Sequence, residues 1–500
     1  MSGAIEAAID ALTSPRLLRF LARQRWFGAK GEVPSAAVVV DWMCLPSNDA
    51  SLAVARIRVE TSRGCAVYQL PLAARASLPP DVPETAVLET IGGGTHVFDA
   101  TYDPEFRAML AHGIVAGLEA VGASRRRWVV EASAEASRLV ATGSRTRLLG
   151  VEQTNSSIVI GDAAIVKLFR RLVSGTHPDV EVTRFLTTRA GFVHTPSFLG
   201  ALRFEDEHGT TIAGMTQRYV PGATDLWTYA LERGRPYFAA REDVEPANDF
   251  LADATPLGGT TRAMHLALAS RTDDPAFAPE PISPDDVDRW AGRAQQSVRE
   301  ALALLERQID APGFPREREA EARALARRRD HFAGWINEIV DALGQDLGQC
   351  VRIHGDFHLG QVLRAPNGEF LIIDFEGEPT RPLDERREKA SPLRDVAGML
   401  RSIAYAAATL ALEDGARLKP SIRELRAARW ERDVRSAFLA GYLAPDGATP
   451  NPLPANAADT RRLIQLFEAE KAFYELSYEL NNRPAWAWIP MRGISKLFVG

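Results

Sequence analysis

The sequence predicts an α+β fold: a β-rich N-terminal domain, then strands carrying one helix, then a large helical lobe interrupted by one hairpin. Three observations carry that expectation. Residues 35–100 contain the short runs "AAVVVDWMCL", "LAVARIRVET", "CAVYQLPLAA" and "GTHVFDAT", rich in β-formers and separated by polar turns. A second strand group, "RTRLLGVEQ", "SSIVIGD" and "AAIVKLFRR", precedes the helical pattern "HPDVEVTRFLTTRAG". From residue 223 the periodicity is helical except at 353–376, "IHGDFHLGQVLRAPNGEFLIIDFE", where a Pro-Asn-Gly turn joins two apolar arms.

A chain of 500 residues is too long for one core, so two or three domains are expected. The apolar fraction of 46% and charged fraction of 25% are those of a globular protein. A net charge of −6 gives no general attraction to nucleic acid or to anionic lipid. The run Arg327-Arg328-Arg329 lies in an Ala/Glu/Arg-rich stretch and reads as a solvated helix face. Cys44, Cys65 and Cys350 form neither a disulfide framework nor a metal motif, which fits reduced thiols in a cytoplasm. The first residues are amphipathic rather than a signal peptide, and no membrane span is expected.

Along the chain, residues 1–30 read as helical and end at "RWFGAKG". "IGGGTHVF" has three glycines but no following helix or Lys-Ser/Thr, so it does not read as a phosphate loop. Residues 105–135 read as helical. Gly161-Asp162 is a tight turn between two strands. Pro178 suits the first position of a helix and Gly191 its stop. "MTQRYVPGATDLW" fits a connection between two lobes; the backbone from Gln217 through Tyr219 to Val220 would meet an adenine edge, and a plain linker fits equally well.

Chemistry is concentrated in three places. In His354-x-Asp356-(x)4-Gln361, followed by Ile373-Asp374-Phe375-Glu376, Asp356 sits before the hairpin and Asp374 where its second arm ends. That spacing suits phosphoryl transfer: one carboxylate accepts the acceptor hydroxyl's proton, and Asp374 with the amide of Gln361 holds Mg²⁺ against nucleotide phosphates. Upstream, Lys167 on a strand and Glu181 on the next helix suit a phosphate-neutralising ion pair. The preceding loop, "EQTNSSIVIGD", is not glycine-rich, so Ser156, Ser157 and backbone amides would cover the phosphates. Near the C-terminus, Lys471, Tyr474, Glu475 and Tyr478 recur at three- and four-residue steps on one helix face. Aromatic, carboxylate and ammonium groups together suit a polyhydroxylated ligand, although a helix packed by its aromatic residues has the same period.

With these residues assembled, the chain resembles the bacterial maltokinases, within the aminoglycoside-phosphotransferase-like, eukaryotic-kinase-like superfamily. The matching stretches are "QRWFGAKG", "VEQTNSSIVIGDAAIVKLFRRL", "HPDVEVTRFL", "YVPGATDLW", "HGDFHLGQVL", "IDFEGEPTRPLDERREKASPLRDVAGMLRS" and "EKAFYELSYELNNRPAWAWIP", in family order. Residues 235–285, rich in Pro and Asp, depart from the pattern. The resemblance implies a bilobal protein-kinase-like fold with an extra N-terminal β-rich cap subdomain (1–104), a nucleotide-binding N-lobe (105–222) and a mainly helical C-lobe (223–500). It implies ATP- and Mg²⁺-dependent phosphorylation of maltose to maltose 1-phosphate, feeding α-glucan and glycogen synthesis and trehalose metabolism. It further implies an association with trehalose synthase. Asp356 would be the catalytic base, Gln361 and Asp374 the metal ligands, and Lys167 and Glu181 the phosphate-positioning pair. Ser156, Ser157, Gln217 and Tyr219 would line the nucleotide, and Lys471, Tyr474, Glu475 and Tyr478 the sugar. Competing readings are a kinase of glucosamine, glucose, trehalose or an aminoglycoside, and a pseudokinase that binds nucleotide and docks a trehalose- or glycogen-pathway enzyme.

Overall fold

The computed structural model describes residues 3–27, 34–47, 51–62, 64–141, 143–150, 155–311, 313–378, 381–413, 418–445, 447 and 451–498. It divides into two compact units, residues 1–188 with 196–221 and residues 189–195 with 222–500.

The first unit opens with α1 (Gly3–Asp10) and α2 (Ser14–Ala22), which cover one face of an antiparallel sheet of β1 (Ala36–Cys44), β2 (Leu52–Thr61), β3 (Gly64–Arg75), β4 (Val87–Ile91) and β5 (Thr95–Asp99). Alternation divides the residues of β2 between two cores. Ala53, Ala55, Ile57 and Val59 pack under the N-terminal helices, while Leu52 and Val54 join a second cluster. α3 (Pro104–Ala116) starts at an Asp103 cap with proline in first position and stops at Gly117, whose φ of 78° suits glycine. The helix expected over 105–135 therefore ends early. Residues 118–130 instead form the hairpin of β6 (Leu118–Val121) and β7 (Arg127–Val130).

After the short α4 (Ala136–Leu139), a second sheet is completed by β8 (Thr146–Leu149), β9 (Asn155–Ile160), β10 (Ala164–Phe169), β12 (Phe198–Asp206) and β13 (Gly209–Arg218), in the order β6-β7-β12-β13-β10-β9-β8. β11 (Arg171–Leu172) leaves it to pair with β3, and α5 (Pro178–Thr188) packs beside β12. One apolar cluster runs from Leu52, Val54 and Phe98 through Phe106 and Trp128 to Ile158 and Val166. Packing thus continues across residue 104, where a boundary between subdomains was expected.

The second unit is mainly helical: α6 (Leu226–Ala239), α7 (Leu251–Leu268), α8 (Pro284–Gln308), α9 (Glu319–Ala326), α10 (Arg329–Asp341), α11 (Leu383–Arg387), α12 (Leu393–Glu413), α13 (Pro420–Tyr442), α14 (Ala457–Asn482) and α15 (Trp488–Leu497). The expected hairpin is present as β14 (Val362–Arg364) and β15 (Phe370–Ile372), paired Val362 to Ile372 and Arg364 to Phe370. α12 is long and apolar enough to cross a membrane by length and composition alone. Of its most apolar 18-residue stretch, however, 83% is buried, packed among α6, α13, α14 and α15, as a central core helix is. The region 235–285 that departs from the family pattern supplies α7, which lies along α13.

Candidate active site

The loop carrying Asp356 is held from below. Asp395, in the first turn of α12, accepts from the backbone N–H of His354 (2.7 Å) and of Gly355 (2.9 Å). The same carboxylate contacts His265 Nε2 on α7 at 3.0 Å, and His265 Nδ1 meets the Tyr442 hydroxyl at 2.9 Å. All three side chains are buried. Burial alone would raise the Asp395 pKa; His265 foremost, then His354 and the Gly355 N–H, reverse that and hold it below the usual carboxylate range. Gly398 on α12 permits the approach, because a Cβ there would stand 2.6 Å from the Phe357 carbonyl.

His354 Nε2 reaches the Ile373 carbonyl at 2.9 Å, so one imidazole ties the loop to the end of the second hairpin arm. Directly after it, Asp374 adopts the left-handed region, with φ of 68°. Asp tolerates that conformation better than most residues, and its occurrence here marks a locally strained backbone. Gln361 Nε2 donates to Asp374 Oδ2 at 3.0 Å, and a Glu376 carboxylate oxygen lies within 4.8 Å of one of Asp374. Two carboxylates and an amide oxygen are hard donors of the kind Mg²⁺ takes. Glu376 was not among the ligands read from the sequence, although it stands two residues beyond Asp374.

A cleft opens over Asp356. Lys471 of α14 places Nζ 3.2 Å from Asp356 Oδ1 and 3.6 Å from Glu378 Oε1. Burial pushes the Asp356 pKa up; Lys471 foremost, then His358 and His354, more than offset this, and the carboxyl is held below its ordinary value. His358 is half-buried and accepts the Gly360 N–H on Nδ1 at 3.0 Å, and desolvation lowers its pKa. Farther up the wall, Arg381 bonds Glu378 (2.8 Å) and Glu470 (3.2 Å), and Arg394 bonds Glu470 (2.9 Å). Glu470 Oε2 is buried without a hydrogen-bond partner among the described residues, an acceptor that a ligand hydroxyl could use. Sequence reading missed Glu378, Arg381, Arg394 and Glu470. The signal for two of them was the i,i+3 pair Glu378/Arg381 straight after the "DFEG" stretch.

Of the four residues proposed for the sugar, the structure brings two to this cleft. Lys471 and Tyr474 line it, with Lys471 Nζ 4.9 Å from the Tyr474 ring centroid. Glu475 is turned to α12 and forms a buried pair with Arg401 at 2.6 Å. Tyr478 lies one turn beyond the cleft, is 48% exposed, and stacks under Arg483. Shared helical phase did not put them in one site, because a deeply buried arginine captured one and the cleft ends before the other.

The first unit carries the residues proposed for the nucleotide. Residues directly paired in adjacent antiparallel strands share a face. The register pairs Lys167 with Ser157 and Met215, and Ile165 with Val159 and Gln217, so Ser157, Lys167 and Gln217 lie on one face. Ser156 pairs with Leu168 and points to the opposite face, where its hydroxyl accepts from Arg170 Nε at 2.9 Å. That orientation corrects its expected place at the phosphates. Lys167 Nζ lies 3.1 Å from the buried Asp179, two residues before Glu181 on α5, and Asp179 was not foreseen as its partner. Glu181 is half-buried. Gln217 Nε2 is buried without a partner, and the Tyr219 hydroxyl accepts from Arg147 at 2.6 Å. Glu152, Gln153 and Thr154 of the proposed phosphate-covering loop lie outside the described residues.

Residues 20–103 match the family model of the maltokinase N-terminal cap domain. The chain is 28% identical over 349 residues to a glucosamine kinase of Streptacidiphilus jiangxiensis, covering 69% of this chain and 72% of that protein. It is 28% identical over 357 residues to a glucosamine kinase of Mycolicibacterium smegmatis, covering 70% of this chain and 78% of that protein. A solved glucosamine kinase in complex with glucosamine, ADP and inorganic phosphate superposes with a TM-score of 0.65 at 23% identity, covering 99% of this chain and 100% of that one. The chain thus carries a maltokinase-type N-terminal cap over residues 20–103 and shares the overall fold of a solved glucosamine kinase.

Proposed function

We propose that the chain transfers the γ-phosphoryl group of ATP to the anomeric hydroxyl of maltose, giving maltose 1-phosphate and ADP. The observation that carries this reading is the cleft over Asp356, lined by several charged side chains and by Lys471 and Tyr474. In it Asp356, ionised at neutral pH, accepts the sugar hydroxyl's proton as that oxygen bonds to phosphorus and the bond to the ADP oxygen breaks. Gln361, Asp374 and Glu376 would hold Mg²⁺, which neutralises charge on the phosphate oxygens. Lys167, braced by Asp179 and with Glu181 on the same helix, would hold the nucleotide phosphates.

Glucosamine is the competing acceptor, favoured by the names of the curated relatives. The cleft's ion pairing favours a neutral sugar. Asp356, Glu378 and Glu470 each have a basic partner in Lys471, Arg381 or Arg394, so a ring ammonium would have to compete with those cations for a carboxylate. A pseudokinase reading finds no support in the residues, since Asp356, Asp374 and Lys167 are all present. An ADP-coupled assay across maltose, glucosamine, glucose and trehalose tests the assignment. Turnover on maltose at least about tenfold above the others is expected, and preference for glucosamine would replace it.

A further inference from the structure

The motif "QRWFGAKG" has no part in the chemistry above, and its described residues border a crevice on the face of the second sheet opposite Lys167. The crevice is lined by Arg23, Arg25, Trp26, Tyr102, Ser156 and Arg170, among others. Its centre is Arg170, whose side chain is 1% exposed. The guanidinium donates from Nε to Ser156 Oγ (2.9 Å) and from Nη2 to Asp99 (2.7 Å) and Thr101 (3.2 Å), and lies 4.8 Å from the Trp26 ring centroid. The remaining nitrogen, Nη1, is buried and has no hydrogen-bond partner among the described residues. A buried charged donor left unmatched is costly unless something completes it.

We propose that this crevice binds a phosphate group, as inorganic phosphate or as a phosphate monoester. The chemistry of its wall selects that class. Arg23, Arg25 and Arg170 contribute three guanidiniums, against one carboxylate among the described lining residues, Asp99, which Arg170 and the Thr101 hydroxyl already occupy. Ser156, having accepted from Arg170, keeps its own O–H to give. A wall dominated by donors fits a ligand whose oxygens only accept, and arginine forks match the phosphate geometry. The ligand is not the group expected at Lys167: the strand register puts Ser156 and Lys167 on opposite faces. A phosphate here would bridge the cap, through Arg23 and Arg25, to β9, the strand whose other face carries Ser157. The site stands independently of the identity of the sugar.

The test is a titration of the full chain with inorganic phosphate followed by ³¹P NMR line broadening, repeated with glucose 1-phosphate. Arg170 is too embedded to substitute without disturbing the cap, so the exposed pair is changed, as Arg23→Ala/Arg25→Ala, with Lys167→Ala as control. Saturable binding by the wild type, weakened about tenfold or more in the arginine variant and within about twofold in Lys167→Ala, is expected, as loss of charged phosphate contacts implies. Preference for the free ion or for the ester supports the site in either case and names the source. Absence of saturable binding, or loss in Lys167→Ala with the arginine variant unaffected, overturns the proposal.

Discussion

Lys471 on α14 and Asp356 in the loop before the hairpin, 115 positions apart in sequence, meet at 3.2 Å. The pair joins the residue proposed to do the chemistry to the helix proposed to choose the acceptor. It also bears on the charge of the base, because an ammonium at that distance holds the half-buried carboxyl's pKa below its ordinary value against the upward push of burial.

Replacing Asp356 by Asn removes the proton acceptor without changing its shape. Transfer to sugar should fall by about 10²–10⁴-fold while nucleotide affinity is kept. Steady-state kinetics and calorimetry with MgATP read the two properties separately; activity within a few-fold of wild type would take Asp356 out of that role.

Lys471→Met should shift the pH profile in a defined direction. Lys471 holds the Asp356 pKa down, so removing it lets burial raise that pKa, and the acid limb of kcat/KM should move to higher pH. An unmoved limb, with a lowered plateau only, would mean that Lys471 binds substrate without tuning the base.

Asp374→Ala should abolish Mg²⁺-dependent nucleotide binding, since Glu376 and the neutral amide of Gln361 are a poor set for a hard cation. Unchanged MgATP affinity by calorimetry would place the metal elsewhere.

Two tyrosines on one helix separate the site from its neighbourhood. Tyr474→Ala should raise KM for the sugar several-fold, while Tyr478→Ala, at a position 48% exposed and outside the cleft, should leave it within about twofold. The reverse result would restore the longer face suggested by helical period alone.

Asp395→Ala should destabilise the second unit by about 3–5 kcal/mol, as breaking a buried pair does, because His265 and two backbone N–H groups lose their acceptor. The folded carboxyl titrates below its unfolded value of about 3.9. Its stabilisation is therefore complete above that pH and lost as pH falls through the lower folded value. Urea unfolding of wild type and variant should converge toward acid; a gap unchanged with pH would contradict an ionised Asp395.

The elements were legible where local chemistry decides them. Pro178 marks the start of α5, Gly161 the turn between β9 and β10, and Pro366-Asn367-Gly368 the hairpin. The spacing of His354, Asp356, Gln361 and Asp374 was visible because one loop and one hairpin carry all four. What escaped depends on partners distant in sequence. Helix-like composition over 118–130 hid a hairpin that exists because β7 pairs with β12. Ser156 and Ser157 are adjacent and chemically alike, and only the register tells which faces Lys167. Glu475 shares the phase of Lys471, but Arg401, from another helix, decides where it points. His265 sits in the segment that matched no pattern and carries no motif, yet it supports the loop through Asp395.

The most direct test of the central claim is ³¹P NMR of the product formed from ATP, Mg²⁺ and maltose by wild type and by Asp356→Asn. The account predicts a new phosphate monoester resonance coupled to the anomeric proton of maltose, formed by the wild type and lost in the variant. A phosphate carried at any other position, a product made only from glucosamine, or equal product from Asp356→Asn would contradict it.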